Sequence, residues 1–175
     1  ITITGITNDT GGSGLMNVSL WFRFRATNAS SWDGWMYSGL VNTTPWLNGS
    51  HPTWSFNFTT RNGTGHYQFY SNATDNATNS ESKAQSAEAD CGYDPTAPTS
   101  FVNAIAPYWK TSSPTTITAA AGDSLSGVKN VTLYYRFGIT NASLGGWVSA
   151  GVDTVSPWSW SFIFVNGTGC YQFFS

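Results

Sequence analysis

The sequence predicts an all-β chain built as two tandem β-sandwich repeats. Three observations carry this. Apolar and polar residues alternate with a period of two over short stretches. Gly, Asn and Pro punctuate those stretches at a spacing of roughly 8–12 residues, as in sandwiches. And the second half of the 175-residue chain repeats the first.

The alternation is clearest in two matched segments. Val18, Leu20, Phe22 and Phe24 alternate with Asn17, Ser19, Trp21 and Arg23. Val131, Leu133, Tyr135 and Phe137 alternate with Asn130, Thr132, Tyr134 and Arg136. Trp54, Phe56 and Phe58 alternate with Ser55 and Asn57, and Tyr67 and Phe69 with His66, Gln68 and Tyr70. In a strand this sends the apolar set to one face and the polar set to the other. No segment has a convincing helical period. Residues 80–89 are the only helix-tolerant stretch, and they are expected to be mainly extended or linker.

The repeat is read by direct matching. Asn17-Val18-Ser19-Leu20-Trp21-Phe22-Arg23-Phe24 matches Asn130-Val131-Thr132-Leu133-Tyr134-Tyr135-Arg136-Phe137, and Thr27-Asn28-Ala29-Ser30 matches Thr140-Asn141-Ala142-Ser143. Trp35 matches Trp147, and Pro45-Trp46 matches Pro157-Trp158. Trp54-Ser55-Phe56-Asn57-Phe58 is matched to Trp160-Ser161-Phe162-Ile163-Phe164. Asn62-Gly63-Thr64-Gly65-His66-Tyr67-Gln68-Phe69 matches Asn166-Gly167-Thr168-Gly169-Cys170-Tyr171-Gln172-Phe173. The shrinking offset puts the main length difference in the loop 47–53 of the first copy, where a surface loop tolerates it. The expected domains are 1–90 and 91–175.

Both copies resemble the bacterial and archaeal immunoglobulin-like repeats of large cell-surface and extracellular filament proteins. The marks are Asp94-Pro95-Thr96-Ala97-Pro98-Thr99 at a repeat start and Gly127-Val128-Lys129-Asn130-Val131 leading a strand. Pro157-Trp158-Ser159-Trp160, and Tyr70-Ser71-Asn72-Ala73-Thr74-Asp75-Asn76-Ala77 near a repeat end, complete them. The resemblance covers nearly the whole chain and implies immunoglobulin-like sandwiches. It leaves function open, because such repeats serve many roles.

Each repeat is expected to be incomplete at one end. The second copy has a first strand in 100–109 with no counterpart in the first copy, which opens at Ile1-Thr2-Ile3-Thr4, matching Thr116-Ile117-Thr118. The first copy has a last strand in 72–81, whereas the second stops at Phe174-Ser175. Two accounts follow. The chain is a window of a longer repeat array, or a neighbouring copy supplies the missing strand by donor-strand complementation. The second account gives a head-to-tail contact that builds a filament. The chain lacks both an initial Met and a signal peptide, so it is expected to be a mature or excised portion of something longer.

Composition narrows the function classes. Charged residues are 9% of the chain, against about 25% in typical soluble proteins. Net charge is −2 with no basic block, which argues against phosphate-binding nucleic-acid partners. No apolar run approaches the roughly 20 residues of a membrane span. Hydrophobic residues at 40%, with nine Trp, supply a core.

Twelve of the 14 Asn sit in Asn-x-Ser/Thr sequons: Asn8, Asn17, Asn28, Asn42, Asn48, Asn57, Asn62, Asn72, Asn76, Asn130, Asn141 and Asn166. With Ser and Thr at roughly a quarter of positions, chance gives about four. Accidental sequons in Ser/Thr-rich strands are the competing account. Asn17, Asn57 and Asn130 fall on polar strand faces, Asn62 and Asn166 in turns, and Asn28 and Asn141 in loops. Asn42, just ahead of Pro45, is the least favoured acceptor. Covalent N-linked glycans would place the protein outside the cell or on its surface and keep a charge-poor surface soluble.

Other chemistry is sparse. Cys91 and Cys170 are expected to form one disulfide tying the linker to the second repeat; an inter-subunit bond and free thiols are the alternatives. Asp9, Asp75, Asp94 and Asp123 sit in turns where modules related to these repeats sometimes bind calcium, though no EF-hand-like spacing exists and turn formation alone accounts for them. Trp32, Trp35, Trp46 and Trp147 fall in loops. Trp32 and Trp46 are the candidates for stacking on sugar rings, against packing of matched Trp35/Trp147 and Trp46/Trp158 inside the sandwich. Tyr108 and Trp109, next to Pro107, are expected to pack the linker. Two His, His51 and His66, and no nucleophile elbow, phosphate loop or zinc-ligand cluster make catalysis unexpected. The expectation is a structural, N-glycosylated extracellular protein, the repeating subunit of a filament made of copies of itself. The alternative is a carbohydrate-binding or adhesive module of a large cell-surface repeat protein.

Overall fold

A computed structural model describes residues 1–9, 11–42 and 53–175. These residues are all-β apart from one 3-10 turn, Asn141–Ser143, and every strand pairing is antiparallel. The chain divides into two compact units, Ile1–Pro95 and Thr96–Ser175.

Unit 1 holds β1 (Thr2–Ile6), β2 (Leu15–Arg25), β3 (Met36–Asn42), β4 (Thr53–Asn57), β5 (Gly65–Asp75) and β6 (Ala89–Tyr93). Strands β1 and β4 form one sheet; the other has the order β3-β2-β5-β6. The period-two pattern explains the burial. Val18, Leu20 and Phe22 of β2 and Tyr67 and Phe69 of β5 point to one side, meet Trp54 of β4 and Phe58 just beyond it, and make one core. Ile3 of β1 packs against the same core.

Unit 2 holds β7 (Thr99–Val102), β8 (Thr115–Gly122), β9 (Val131–Gly138), β10 (Val148–Asp153), β11 (Ser159–Phe162) and β12 (Cys170–Phe174). Its sheets are β7-β8-β11 and β10-β9-β12. Ile117, Ala119, Val131, Leu133, Trp158, Trp160 and Phe162 are its buried core. In each unit two antiparallel sheets share one apolar core, an arrangement consistent with a β-sandwich.

The strand entering β5 and that entering β12 are set by the same turn. Gly63 (φ 78°) and Gly167 (φ 75°) take the left-handed conformation that side chains disfavour. The Tyr67 hydroxyl then donates to Gly63 O at 2.7 Å, and Tyr171 to Gly167 O at 3.0 Å. In both units the hydroxyl thus ties the start of the strand to the carbonyl four residues upstream.

Four expectations are corrected. First, residues 72–75 are not a separate last strand: they continue β5, and only an isolated Thr74–Ser80 bridge follows before β6. The last strand of unit 1 is β6, which pairs with β5 from Gly65↔Tyr93 to Phe69↔Ala89. Second, that pairing draws Cys91 out of the expected linker and moves the unit boundary from 90/91 to 95/96. Third, the first strand of the second copy is four residues long rather than spanning 100–109, because the chain leaves the sheet after Val102.

Fourth, the repeat match in the Trp-Ser-Phe segment is displaced by two residues. Phe58 contacts Phe22, Tyr67 and Phe69 with ring centroids at 4.9, 5.5 and 5.0 Å. Phe162 makes the matching contacts with Tyr135, Tyr171 and Phe173 at 4.9, 5.7 and 4.9 Å. Phe58 therefore stands where Phe162 stands, and Trp54, opposite Gly5, stands where Trp158 stands beside Ala119. A slip of two residues keeps every side chain on its own face, so alternation is blind to it.

Candidate functional site

The matched strands of the two units differ in their neighbours among the described residues. In unit 2, β8 is flanked by β7 and β11, whereas in unit 1 β1, its counterpart, pairs with β4 alone among the described residues. In unit 1, β5 is flanked by β2 and β6, whereas in unit 2 β12 pairs with β9 alone among the described residues. An edge strand presents a row of unpaired N–H and C=O groups, a template for another strand.

A groove lies beside each open edge. In unit 1 a groove of ≈ 710 Å³ runs along β1, lined by Gly5 and Ile6, by Trp54, and by Leu20 and Phe69 from the core. In unit 2 a groove of ≈ 660 Å³ runs along β12, lined by Ile117 and Phe173 from the core side and by Val102, Ile105, Tyr108 and Trp109. Tyr108 and Trp109 are thus groove residues of unit 2, 64% and 72% exposed, and not packing for an inter-repeat linker. Gly5 is required by close approach: a Cβ there would sit 2.5 Å from the Trp54 indole.

The first groove is acidic. Asp9, Asp75, Glu81 and Glu88 line it, with Lys83 as its one cation among the described residues. Lys83 bonds Glu81 at 3.1 Å and Glu88 at 2.5 Å. Burial works against both charges of the Lys83–Glu88 pair. Their hydrogen bonds outweigh it, holding the Lys83 pKa above and the Glu88 pKa below the ordinary value. Glu88 also accepts from Ser71 N and Oγ. The second groove has Lys110 as its one charged lining residue among the described residues.

The outer faces of β3-β2-β5-β6 and of β10-β9-β12 carry a matched ladder that sequence pattern did not single out. Arg23 Nε and Nη2 donate to Gln68 Oε1 at 2.9 and 2.7 Å, and Arg136 to Gln172 Oε1 at 2.9 and 2.6 Å. Arg23 lies over Trp35 at 4.7 Å and Arg136 over Trp147 at 4.6 Å. Each indole meets a β5 or β12 ring edge-on, Trp35 with Tyr70 and Trp147 with Phe174. The signal available was the pair of matched Arg and Gln positions in both copies, too far apart in sequence to suggest a contact. Trp35 and Trp147 therefore pack on the outside of a sheet, not between sheets. Trp32 is committed to the same ladder: Arg25 and Arg23 sit over its ring at 4.6 and 5.2 Å, competing for the surface a sugar would use. Trp46 lies outside the described residues, as do Asn48 and His51.

The sequon asparagines divide by what their amides do. Asn8, Asn28, Asn57, Asn62, Asn130, Asn141 and Asn166 are exposed. Asn28 and Asn57 use the side-chain oxygen, accepting from Arg25 and Thr2, which leaves the nitrogen the sugar needs pointing elsewhere. Asn17 is half-buried in β2, and Asn42 closes β3. Asn76 is different: its Nδ2 donates to Ser13 O at 2.9 Å and Gly14 O at 3.1 Å, spending both protons. Asn72 Nδ2 donates to Glu81 O. These two are structural ties between loops and β5.

The remaining candidates are dispersed. Ser13 Oγ lies 3.2 Å from an Asp9 oxygen and 2.9 Å from an Asp75 oxygen, so two of the four aspartates meet. Asp75 also accepts from Asn79 N and Nδ2; the Asn79 side chain leads in holding its pKa below the ordinary value. Asp123 is in unit 2, accepting from Leu125 N and Gly127 N as a turn-former, and Asp94 follows β6. Among the described residues no group of three His, Cys, Asp or Glu is placed to hold a metal ion. Cys91 in unit 1 and Cys170 in unit 2 each carry a free, half-buried thiol. Cys91 lies opposite Tyr67 and packs against the unit 1 core, where burial raises its thiol pKa. Cys170 takes the place of His66, one residue out of phase with Tyr171 and hence on the other face of its strand in unit 2. Compared with protein-family models, with curated proteins and with solved structures, the chain matches none.

Proposed function

We propose that this is a structural, N-glycosylated extracellular protein whose two immunoglobulin-like sandwich units join to copies of the chain by β-strand addition, building a fibre. One observation supports the reading: among the described residues the two units show complementary strand sets, β6 beside β5 in unit 1 and β7 beside β8 in unit 2, and a groove lies along the unpaired edge of β1 and of β12. Pooling the two gives the full set, β7-β8-β11 against β3-β2-β5-β6, the seven strands of an immunoglobulin-like domain. Because the donor and acceptor edges differ, the contact is heterologous and does not close on itself. The exposed sequon asparagines support a sugar coat, which would blunt the charge-poor faces against non-specific association.

The reading assigns no catalytic residue and no bound cofactor. The adhesive, sugar-binding alternative has less to stand on, because the ring of Trp32 is clamped by two arginines. Electron microscopy of the purified glycoprotein tests assembly, with linear arrays expected; compact monodisperse particles overturn it. Intact mass before and after deglycosylation tests the sugars, and an unmodified mass from the native source overturns that half.

A further inference from the structure

We infer that each unit packs its own sugar on the outer face of a sheet: the N-linked chains on Asn17 and Asn130 lie along β2 and β9 and cover an uncharged apolar strip. The inference rests on the N-glycosylation reading above and says where two of its sugars go.

Strand register sets the strip. Asn17, Ser19 and Trp21 share the outer face of β2, while Val18, Leu20 and Phe22 point into the core. On β3, Leu40 stands opposite Ser19 and Tyr37 opposite Trp21. Both are open to solvent, 47% and 49% exposed. On β5, Asn72 and Tyr70 complete the same two rows. Trp21 stacks on Tyr70 with ring centroids at 5.9 Å. Its Nε1 donates to Ser19 Oγ at 3.3 Å, back along the strand toward Asn17. Unit 2 repeats the arrangement. Asn130 stands one residue ahead of β9, in phase with Thr132 and Tyr134. Val152, 57% exposed, is opposite Thr132, and Tyr134 stacks on Phe174 at 4.8 Å. Leu40 and Val152 each follow a glycine at positive φ, Gly39 and Gly151, so they occupy the same place in the two copies.

Two features name the occupant. First, an acceptor asparagine heads each strip. Among the described residues neither Asn17 nor Asn130 gives its side-chain amide to a hydrogen bond, unlike Asn72 and Asn76. Attachment needs that amide: Nδ2 bonds the anomeric carbon of an activated sugar phosphate, the phosphate leaves with the bonding electrons, and the nitrogen gives up one proton. Second, every residue of the two rows is neutral in both units. The first charges further along this face of β2 and β9 are the clamped Arg23 and Arg136. A pyranose ring has a face of C–H groups that stacks on apolar and aromatic surface, and its rim of hydroxyls stays in water. From each acceptor to the Trp21 or Tyr134 row is four strand residues, about 13 Å, within reach of the first few sugars of a chain. Exposed apolar side chains gathered on one face mark a surface that something covers, and here the covering group is tethered beside them.

The test uses the full glycosylated chain. Glycopeptide mass spectrometry reports occupancy, and hydroxyl-radical footprinting reports exposure. Asn17→Gln removes the unit 1 sugar; Asn130→Gln and Thr132→Val remove the unit 2 sugar by two routes. Each loss is expected to raise labelling several-fold in its own unit only, at Tyr37 and Leu40 or at Tyr134 and Val152. Leu40→Ser adds an energetic readout. In the glycosylated chain it should raise the unit 1 opening equilibrium in hydrogen exchange about fivefold. In the Asn17→Gln background, where Leu40 is an ordinary surface residue, the rise should be about twofold or less. Sugar present at both acceptors, with labelling and the Leu40→Ser effect independent of it, overturns the packing and leaves glycosylation standing. Sugar on other sequons but missing from Asn17 or Asn130 overturns the proposal for that unit. A chain with no sugar at all overturns the underlying reading with it. Protection that survives loss of the sugar and fades on dilution assigns the strip to a second copy and overturns the proposal.

Discussion

Truncating Phe58 to Ala removes the ring at the centre of the unit 1 core. Phe58 is 3% exposed and meets three aromatic rings at 4.9–5.5 Å. A buried Phe→Ala change costs about 3–5 kcal/mol through lost transfer energy and an unfilled cavity. Three edge-to-face partners, each contributing about 0.5–1.5 kcal/mol beyond area, put this site at the upper end. Phe56 is only half-buried and packs at the border of the core. Phe56→Ala should cost about 1–2 kcal/mol, the value of a partly exposed apolar side chain. Phe162→Ala in unit 2 should match Phe58→Ala. Urea unfolding of the full chain, followed by hydrogen exchange so that each unit reports separately, measures all three; the untouched unit is the internal reference. The expected order is Phe58 ≈ Phe162 ≫ Phe56. A Phe56→Ala cost equal to or above that of Phe58→Ala would refute the two-residue displacement and return the match to Phe56 with Phe162.

Gly5→Ala should destabilise unit 1 by about 1–3 kcal/mol by forcing the Trp54 indole aside, while Ala119→Gly, at the matched place in unit 2, should cost only about 1 kcal/mol in a thermal melt. Glycopeptide mass spectrometry should find sugar on Asn28, Asn62, Asn141 and Asn166 and none on Asn76. Asn76→Ala should cost about 0.5–1.5 kcal/mol by removing the side-chain bonds to the Ser13 and Gly14 carbonyls, Gly14 O keeping the bond from the backbone N–H of residue 76; a sugar on Asn76 contradicts both. Glu88 has a lowered pKa, so its stabilisation is complete above the ordinary carboxylate pKa and disappears as pH falls through the lower folded value. Lys83, with a raised pKa, adds stability below the ordinary lysine value and loses it as pH rises through the higher folded one. Replacing Glu88 with Gln should remove the acid-side loss in unit 1 hydrogen exchange; an unchanged profile assigns that loss elsewhere.

Strand faces were legible because burial imposes a period of two. Val18, Leu20 and Phe22, and Val131 and Leu133, are buried where alternation places them. Register was not, because identical Trp-Ser-Phe triplets sit two residues apart in their strands and face the same way. The strand β6 was missed for a different reason. Ala89-Asp90-Cys91-Gly92-Tyr93 has no alternation to read, and it is a strand because β5 offers it an edge. The open grooves follow from pairing between distant segments, which no local pattern encodes. The amide bonds of Asn76 lay beyond reach, because a sequon looks the same whether its nitrogen is committed or not.

The Arg–Gln–Trp ladder has an electrical consequence. Each ladder arginine is held by a neutral amide and the face of an indole, groups that neither titrate nor carry net charge. Ions in solution screen attraction between opposite charges, and here the clamp contains no opposite charge to screen. The outer face of both units keeps its clamps from dilute buffer to brine and from acid to mild alkali. For a surface with few charges, the ladder supplies cohesion whose strength does not depend on the surrounding water's composition.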